Sequence, residues 1–431
     1  AMPSFLRALW LFLALYLSFG AILSPLPLPG FVGGILKLMV YFSHGPLFLV
    51  NAILLSIYAL SLARGWASAN SLKAPAALAC CSVLAILLQT ICAIPAAIRF
   101  EAQLASSFGS STSRSPCFSL VRWLRPPDEC SLELAWPDFP NRTIKIRSFR
   151  PQSSAALPLT PLSPITHAVW SDLFANATAA EVRPGTLEAV VWPNAVRARA
   201  PLLVFVHGGG WWTGQRTGSC FGCHLRQARA LGWAVAAVEY RLIKDGWEGT
   251  HMADDVIAAV QKLRRLLRPE RIVIVGSSAG AHLALCAAYT LNARAQRRVI
   301  DSVVALSPPG DFQLSRTRPV WLGAWDEAAA LSLLCGKLDS ARCDAALSPV
   351  ELTRALTSSS APRTLLYAAG ADEFYPAHHV EALAATLAAA ELPHALLRMP
   401  LLAHGTDGGE TSLASQMVRS AISLVLNTEV A

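Results

Sequence analysis

The chain has 431 residues, of which 53% are hydrophobic and only 15% charged, with a mean hydropathy of +0.42. Soluble domains carry about 25% charged residues, so the deficit excludes a disordered or wholly solvated polypeptide and points to membrane segments. The formal net charge of +8 comes from scattered arginines with no basic helix or RNA-binding signature, which excludes a nucleic-acid partner and suits a solvated or membrane-facing surface.

The apolar residues gather at the N-terminal end, where residues 9–23, 46–63 and 75–98 each approach the ~20 apolar residues of a bilayer-spanning helix. Arg7 before the first run resembles the start of a secretory leader, but the two later runs make a cleaved leader insufficient. Residues 31–42 are also apolar, and Lys37 and His44 make them an extension of the second span or an interfacial segment. Three spans are therefore expected, giving a multi-pass membrane protein with the lipid bilayer as a partner.

Arg7, Arg64 and Lys73 outnumber Lys37 and Arg99 on the opposite side, which directs the C-terminal part out of the cytosol, to a luminal or extracytoplasmic location. The Asn141-Arg-Thr and Asn176-Ala-Thr glycosylation triplets and seven cysteines beyond residue 98 lean the same way. Spacing nominates Cys117–Cys130 and Cys335–Cys343 as pairs, although connectivity does not follow from sequence.

Three units are expected: a membrane region over 1–100, a linker and candidate cap or first part of the next domain over 101–185, and an α/β domain over 186–431. The Ser-, Pro- and Arg-rich stretch 106–116 reads as exposed linker, and residues 118–184 give mixed signals, with a strand-like run at 143–149 and a helical one at 168–180. From residue 187, short Val- and Leu-rich runs alternate with helical segments, as a parallel sheet covered on both faces demands. Strands are expected at 187–191, 202–206, 234–238, 272–275, 302–306, 364–368 and 395–398. Helices are expected at 218–231, 252–267, 279–293 and 376–390. The fold class is α/β, a doubly wound, mostly parallel sheet with helices on both faces.

The sequence Gly276-Ser277-Ser278-Ala279-Gly280 follows an Ile/Val strand and opens an Ala-rich helix. In such a nucleophile elbow the central serine sits on a sharp turn, and glycines two residues away on either side remove side chains that would clash with strand and helix. His207-Gly208-Gly209-Gly210-Trp211-Trp212 follows the strand at 202–206 and supplies glycine backbone able to approach a reacting oxygen. Preorganised N–H groups there stabilise a tetrahedral oxyanion, each donor worth roughly 3–4 kcal/mol. Gly209, Gly210 and Ala279 are the candidate oxyanion-hole donors. A phosphate-binding loop is the rival reading, but no Lys-Ser or Lys-Thr follows and no dinucleotide fingerprint fits.

His-Gly-Gly-Gly-Trp, then Glu239-Tyr240-Arg241-Leu242, then Gly-Ser-Ser-Ala-Gly, in that order, resembles the hormone-sensitive-lipase-like esterases of the α/β-hydrolase superfamily over about residues 187–407. The family usually has Asp where Glu239 stands, and Ala-Pro where this chain has Ile243-Lys244. The resemblance implies the chain order serine, acid, histidine, with Ser278 as nucleophile. Asp372, in Gly-Ala-Asp-Glu-Phe-Tyr-Pro after the strand at 364–368, and His404, after the last strand, occupy that order. Glu373 and Asp311 remain alternative acids.

Other residues have plainer readings. His378 and His379 suit a helix surface or core edge, His394 precedes the last strand, and His282 suits packing behind the elbow. Asp254 and Asp255 are expected to favour the positive end of a helix that begins near Met252. Cys220-Phe-Gly-Cys223-His224 reads formally as a haem-attachment or half-zinc motif, but no second ligand pair accompanies it, so local packing or a disulfide-type pair is preferred. Trp211 and Trp212 are candidate substrate-pocket residues. No cofactor and no metal is expected, and the implied reaction is ester hydrolysis through an acyl-enzyme on a small-molecule or lipid ester. A formamide hydrolase of kynurenine-formamidase type and an inactive binding protein of the same fold are the rival readings; oligomeric state is unknown.

Overall fold

The computed structural model describes residues 142–148, 186–193, 199–216, 231–317 and 326–400 except Glu373, with single positions outside these runs. The expected spans lie outside the described residues apart from the end of the third, as do the linker, Asn141 of the first glycosylation triplet, the whole of the second, Cys117, Cys130 and the Cys220–Cys223 motif. Among the described residues no helix is long and apolar enough to cross a membrane.

Eight strands form one sheet: β1 (Arg142–Ser148), β2 (Thr186–Trp192), β3 (Leu202–Val206), β4 (Ala234–Val238), β5 (Ile272–Ser277), β6 (Ser302–Leu306), β7 (Arg363–Ala369) and β8 (His394–Met399). Their order is β1-β2-β4-β3-β5-β6-β7-β8. β2 runs antiparallel to both its neighbours, and every pairing from β4 to β8 is parallel. The described helices are α1 (Gly249–Leu267), α2 (Ala279–Ala295), α3 (Phe312–Thr317), α4 (Glu327–Cys335), α5 (Ser340–Leu347), α6 (Pro349–Leu352) and α7 (Ala377–Ala389).

β3 and β4 are buried at every position, which is why they read as unbroken apolar runs rather than as alternating patterns. Side chains along β3 divide between two cores: Leu202, Val204 and Val206 face α1, α2 and α7, and Leu203 and Phe205 face the opposite cluster. That second cluster takes in the helical positions Leu225, Ala228, Val418, Ala421, Ile422, Val425 and Leu426, so both faces are covered. Ala96, near the end of the expected third span, is buried in the same cluster, and Gln103 Oε1 accepts the Leu396 N–H of edge strand β8 at 2.9 Å.

α1 places Met252, Val256, Val260 and Leu263 on one stripe against the sheet. α2 is apolar nearly all round, as a helix enclosed on every side must be. Within the insertion after β6, Asp326 caps α4 through the Ala329 N–H and Asp339 caps α5 through the Arg342 N–H. The Cys335–Cys343 disulfide, with a Cα–Cα distance of 5.4 Å, staples those two helices together.

Contrary to the expectation from sequence, Asp254 and Asp255 do not stand at a helix start. α1 begins at Gly249, so Asp254 and Asp255 lie in its second turn, away from its positive end. Asp254 is exposed, whereas Asp255 is fully buried and grips Arg241, whose Nε and Nη2 lie 2.7 and 2.8 Å from its carboxylate oxygens. The Arg241 backbone N–H and Arg147 Nη1 also donate to it, at 3.1 and 3.0 Å. Asp255 is thus a buried tie between α1, β1 and the chain after β4.

Candidate active site

The register brings the motif-bearing loops together. Val206 pairs with Gly276, Ser277 with Leu306, Leu306 with Tyr367 and Ala369 with Met399, so the loops after β3, β5, β7 and β8 all leave the carboxyl edge of the sheet.

Ser278 joins β5 to α2 with φ 53° and ψ −123°, a backbone geometry that non-glycine residues rarely adopt. Its N–H donates to Leu306 O at 2.7 Å, which ties the turn to β6. A Cβ on Gly276 would stand 2.3 Å from Gly280 O, and one on Gly280 would stand 2.2 Å from His207 O. Both glycines of the elbow are therefore dictated by close backbone approach.

The glycine loop lies against that elbow, since a Cβ on Gly208 would meet Ser277 O at 2.9 Å and the Ser278 Cβ at 3.4 Å. Gly209 and Gly210 take φ of 120° and 61°, and the Gly209 carbonyl turns away to accept the N–H groups of Trp212 and Thr213 at 3.1 and 3.0 Å. Ala279 opens α2, where first-turn amides have no acceptor within the helix.

Ser278, His404 and Asp372 come together. His404 Nε2 is 2.9 Å from Ser278 Oγ, and His404 Nδ1 is 2.7 Å from Asp372 Oδ2. The other Asp372 oxygen accepts the N–H groups of Phe374 and Tyr375 at 2.9 and 2.8 Å, which locks the carboxylate beneath the imidazole. The Asp372 side chain is 1% exposed, and the rings of Phe374 and Tyr375 stand 5.2 and 6.5 Å from that of His404. Asp311 instead closes a local turn, its Oδ1 accepting the Gln313 N–H at 2.9 Å; Glu373 lies outside the described residues.

The remaining histidines divide as their environments require. His379 is fully buried, with Nε2 3.0 Å from Glu327 Oε2, and His394 Nδ1 contacts Leu392 O at 2.9 Å. His282 is fully buried behind the elbow. Trp211 lies in the core with 1% of its surface exposed, which leaves Trp212 as the part-exposed member of the pair proposed for a substrate pocket.

A network that sequence reasoning did not assign supports the glycine loop from below. The His207 ring stacks on Tyr240 at 4.2 Å, and the Tyr240 hydroxyl donates to His207 O at 2.8 Å. Glu239 sits 3.5 Å from His207 Nε2 and accepts from both the backbone N–H and Nη1 of Arg216, at 3.0 and 3.2 Å. Burial alone would raise the Glu239 carboxyl, but the bonds and charges of His207 and Arg216 outweigh it and hold the group below the usual carboxylate range. The Glu239-Tyr240-Arg241 motif carried the signal: each of its three side chains makes a buried tie.

Residues 189–387 match the family model described as BD-FAE. No curated protein matches the chain. Among solved structures, a thermostable esterase from Pseudomonas putida is 18% identical, covering 64% of this chain and 94% of its own, with a TM-score of 0.49. Carboxyl esterase 2 from the fungus Tuber melanosporum is 18% identical over 61% of this chain and 96% of its own, with a TM-score of 0.45. Esterase B from Lactobacillus rhamnosis is 20% identical over 75% and 96%, with a TM-score of 0.46. At these identities and TM-scores the likenesses carry no conclusion about this chain. Over residues 189–387, then, the chain is similar to the BD-FAE family, which is of the α/β-hydrolase type.

Proposed function

We propose that the chain is a membrane-attached serine carboxylester hydrolase. The observation that carries this reading is the unbroken hydrogen-bonded sequence from Asp372 through His404 to Ser278. Its polarity is fixed by chemistry: ionised Asp372 only accepts, so Nδ1 of His404 carries the proton and Nε2 is left to accept from the Ser278 hydroxyl. The order and spacing of the His-Gly-Gly-Gly-Trp and Gly-Ser-Ser-Ala-Gly motifs, which resemble hormone-sensitive-lipase-like esterases, support the same assignment.

His404 takes the hydroxyl proton as Ser278 Oγ attacks the ester carbonyl carbon. The carbonyl electron pair moves onto oxygen, where the N–H groups of Gly209, Gly210 and Ala279 receive the charge. Collapse of the intermediate breaks the carbon–alkoxy bond, and His404 returns the proton to the departing alcohol. Water, deprotonated in turn by His404, attacks the acyl-enzyme; the acid leaves and Ser278 is restored. Asp372 stays ionised throughout, holding the ring and stabilising its imidazolium form.

The apolar N-terminal segments support membrane attachment and, with it, an apolar or lipid-derived ester as substrate. The Cys335–Cys343 bond supports an oxidising, extracytoplasmic compartment for the hydrolase domain.

Labelling of the detergent-solubilised chain with a fluorophosphonate, wild type against Ser278→Ala, tests the assignment. Labelling of the wild type alone, with ester turnover that rises with acyl chain length, is the expected result. Faster turnover of aryl formamides than of matched esters would move the reading to a formamide hydrolase. Folded wild-type protein that does not label would make the domain a binding protein.

A further inference from the structure

Trp211 follows directly on Gly209 and Gly210 and has a φ of 60°, in the left-handed region that bulky residues avoid. A conformation of that kind persists only where the surroundings hold it. Two bonds do so: Trp211 O accepts the Ile243 N–H at 2.9 Å, and the indole Nε1–H donates to His282 Nδ1 at 3.2 Å. The two rings meet edge to face, their centroids 5.3 Å apart.

The other nitrogen of His282, Nε2, is 2.8 Å from Leu347 O. An indole N–H can only donate and a carbonyl can only accept, so one tautomer satisfies both contacts: neutral imidazole with its proton on Nε2. A doubly protonated ring would set N–H against N–H at Trp211. Burial pushes the His282 pKa down to about 4, against a smaller opposing effect of the Leu347 carbonyl, so the ring is neutral at physiological pH. The Cys286 thiol contacts the same carbonyl at 3.3 Å.

Leu347 ends α5, which the Cys335–Cys343 bond staples to α4. A continuous path therefore runs from the stapled insertion, through the Leu347 carbonyl and His282, to the residue next to the glycine loop. We propose that His282 is a positioning residue for the oxyanion hole: by bridging the Trp211 indole to the Leu347 carbonyl, it fixes the left-handed turn that aims the Gly209 and Gly210 amides. This rests on the hydrolase reading of Ser278. It gives the histidine four residues after the nucleophile a part in transition-state stabilisation without contact with the substrate.

Trp211→Phe, which keeps a ring and deletes only the indole N–H, His282→Gln and the double variant test the proposal in the full-length, detergent-solubilised chain. The readouts are kcat and KM on a short p-nitrophenyl ester, and Ki for a trifluoromethyl ketone that forms a tetrahedral oxyanion on serine. The expected result is a kcat lowered about 10- to 100-fold in each single variant, a proportionate rise in ketone Ki, and KM within about twofold of wild type. The double variant is expected to lose no more than the worse single, because both remove one bond. Single variants with wild-type kcat and Ki, a loss shared equally by KM, or a double-variant loss equal to the product of the singles would each overturn the positioning role while leaving the hydrolase reading intact. Should His282→Gln fail to fold, Trp211→Phe decides the matter by the same kcat and Ki criteria. Wild-type protein that neither turns over ester nor binds the ketone overturns the hydrolase reading, and the positioning role with it.

Discussion

Gly280 stands so close to His207 that a Cβ on the glycine would lie 2.2 Å from the His207 carbonyl oxygen. The contact joins the first turn of α2 to the end of β3, so one backbone approach sets the distance between the elbow and the glycine loop. Val206 O is almost as near, at 2.3 Å, and neither carbonyl is the end of a flexible side chain that can yield. Gly280→Ala is therefore expected to push the helix away from the strand, at a cost of roughly 1–3 kcal/mol in stability for overpacking. Fluorophosphonate labelling should fall by two orders of magnitude or more in the protein that still folds. Urea unfolding alongside labelling checks this, and wild-type labelling rates would show that the helix can move without disturbing Ser278.

Asp372 performs two separable tasks: one oxygen orients His404 and the other binds the amides of Phe374 and Tyr375. Asp372→Asn retains a carbonyl oxygen for the two amides but presents N–H to the imidazole, which favours the wrong tautomer at Ser278. A loss of kcat on the order of 10⁴ with nearly unchanged thermal stability is expected, following the behaviour of that substitution in Ser-His-Asp enzymes. Asp372→Ala should lose both activity and stability, since it leaves the buried Tyr375 amide and the part-buried Phe374 amide without their acceptor. Comparing kcat and melting temperature across the two variants separates the tasks; equal melting temperatures would place the amides' acceptor elsewhere.

The strands were legible because parallel strands buried on both faces leave continuous Val- and Leu-rich runs. β3, β4 and β6 begin and end where those runs do, and the other strands forecast after residue 186 are each two residues longer. The antiparallel direction of β2 and the order of strands left no such trace, since both depend on which edges meet in space. Ser278, Asp372 and His404 could be picked out by motif and chain order, although no spacing rule predicts that residues 126 apart will hydrogen-bond. The start of α1 was misread because nothing local caps it. Glu248 makes no side-chain cap bond, and Gly249 sits where a Cβ would meet Leu334 and Leu347 of the insertion at 2.7 Å, so packing sets that end. Asp255 was misread with it: a carboxylate near an expected helix start looks like a dipole partner until Arg241 is seen folded onto it.

The Asp255–Arg241 pair makes a stability prediction of its own. Both side chains are at least 95% buried, the guanidinium donates through Nε and Nη2, and it also lies 4.3 Å from the centre of the Trp247 ring. Removal of one partner leaves an uncompensated buried charge, so Asp255→Ala should cost about 3–5 kcal/mol. Replacing both, as Asp255→Leu with Arg241→Met, should recover a large part of that loss. Urea midpoints for the single and double variants provide the check; a double variant less stable than Asp255→Ala would mean that the pair contributes more through its packing with Trp247 than through its charge.

His282 should make stability depend on pH in a direction that follows from its burial. Its pKa is lowered to about 4 in the folded chain, against about 6.5 when unfolded. Between those values the unfolded chain binds a proton that the folded chain refuses, so stability rises with pH across that window. The contribution is present in full above about pH 6.5 and is lost as pH falls towards 4, amounting to roughly 3 kcal/mol for a shift of that size. Glu239, held low by His207 and Arg216, adds a loss of the same sign at still lower pH, and it does so in wild type and variant alike. Subtracting the His282→Gln profile from that of wild type therefore isolates the histidine. The wild-type urea midpoint should fall more steeply than the variant's between pH 7 and 4, with parallel curves above pH 7. Curves that stay parallel throughout would mean that the ring takes up its proton inside the fold, and the N–H to N–H conflict with Trp211 would then have to be relieved by a movement of the indole.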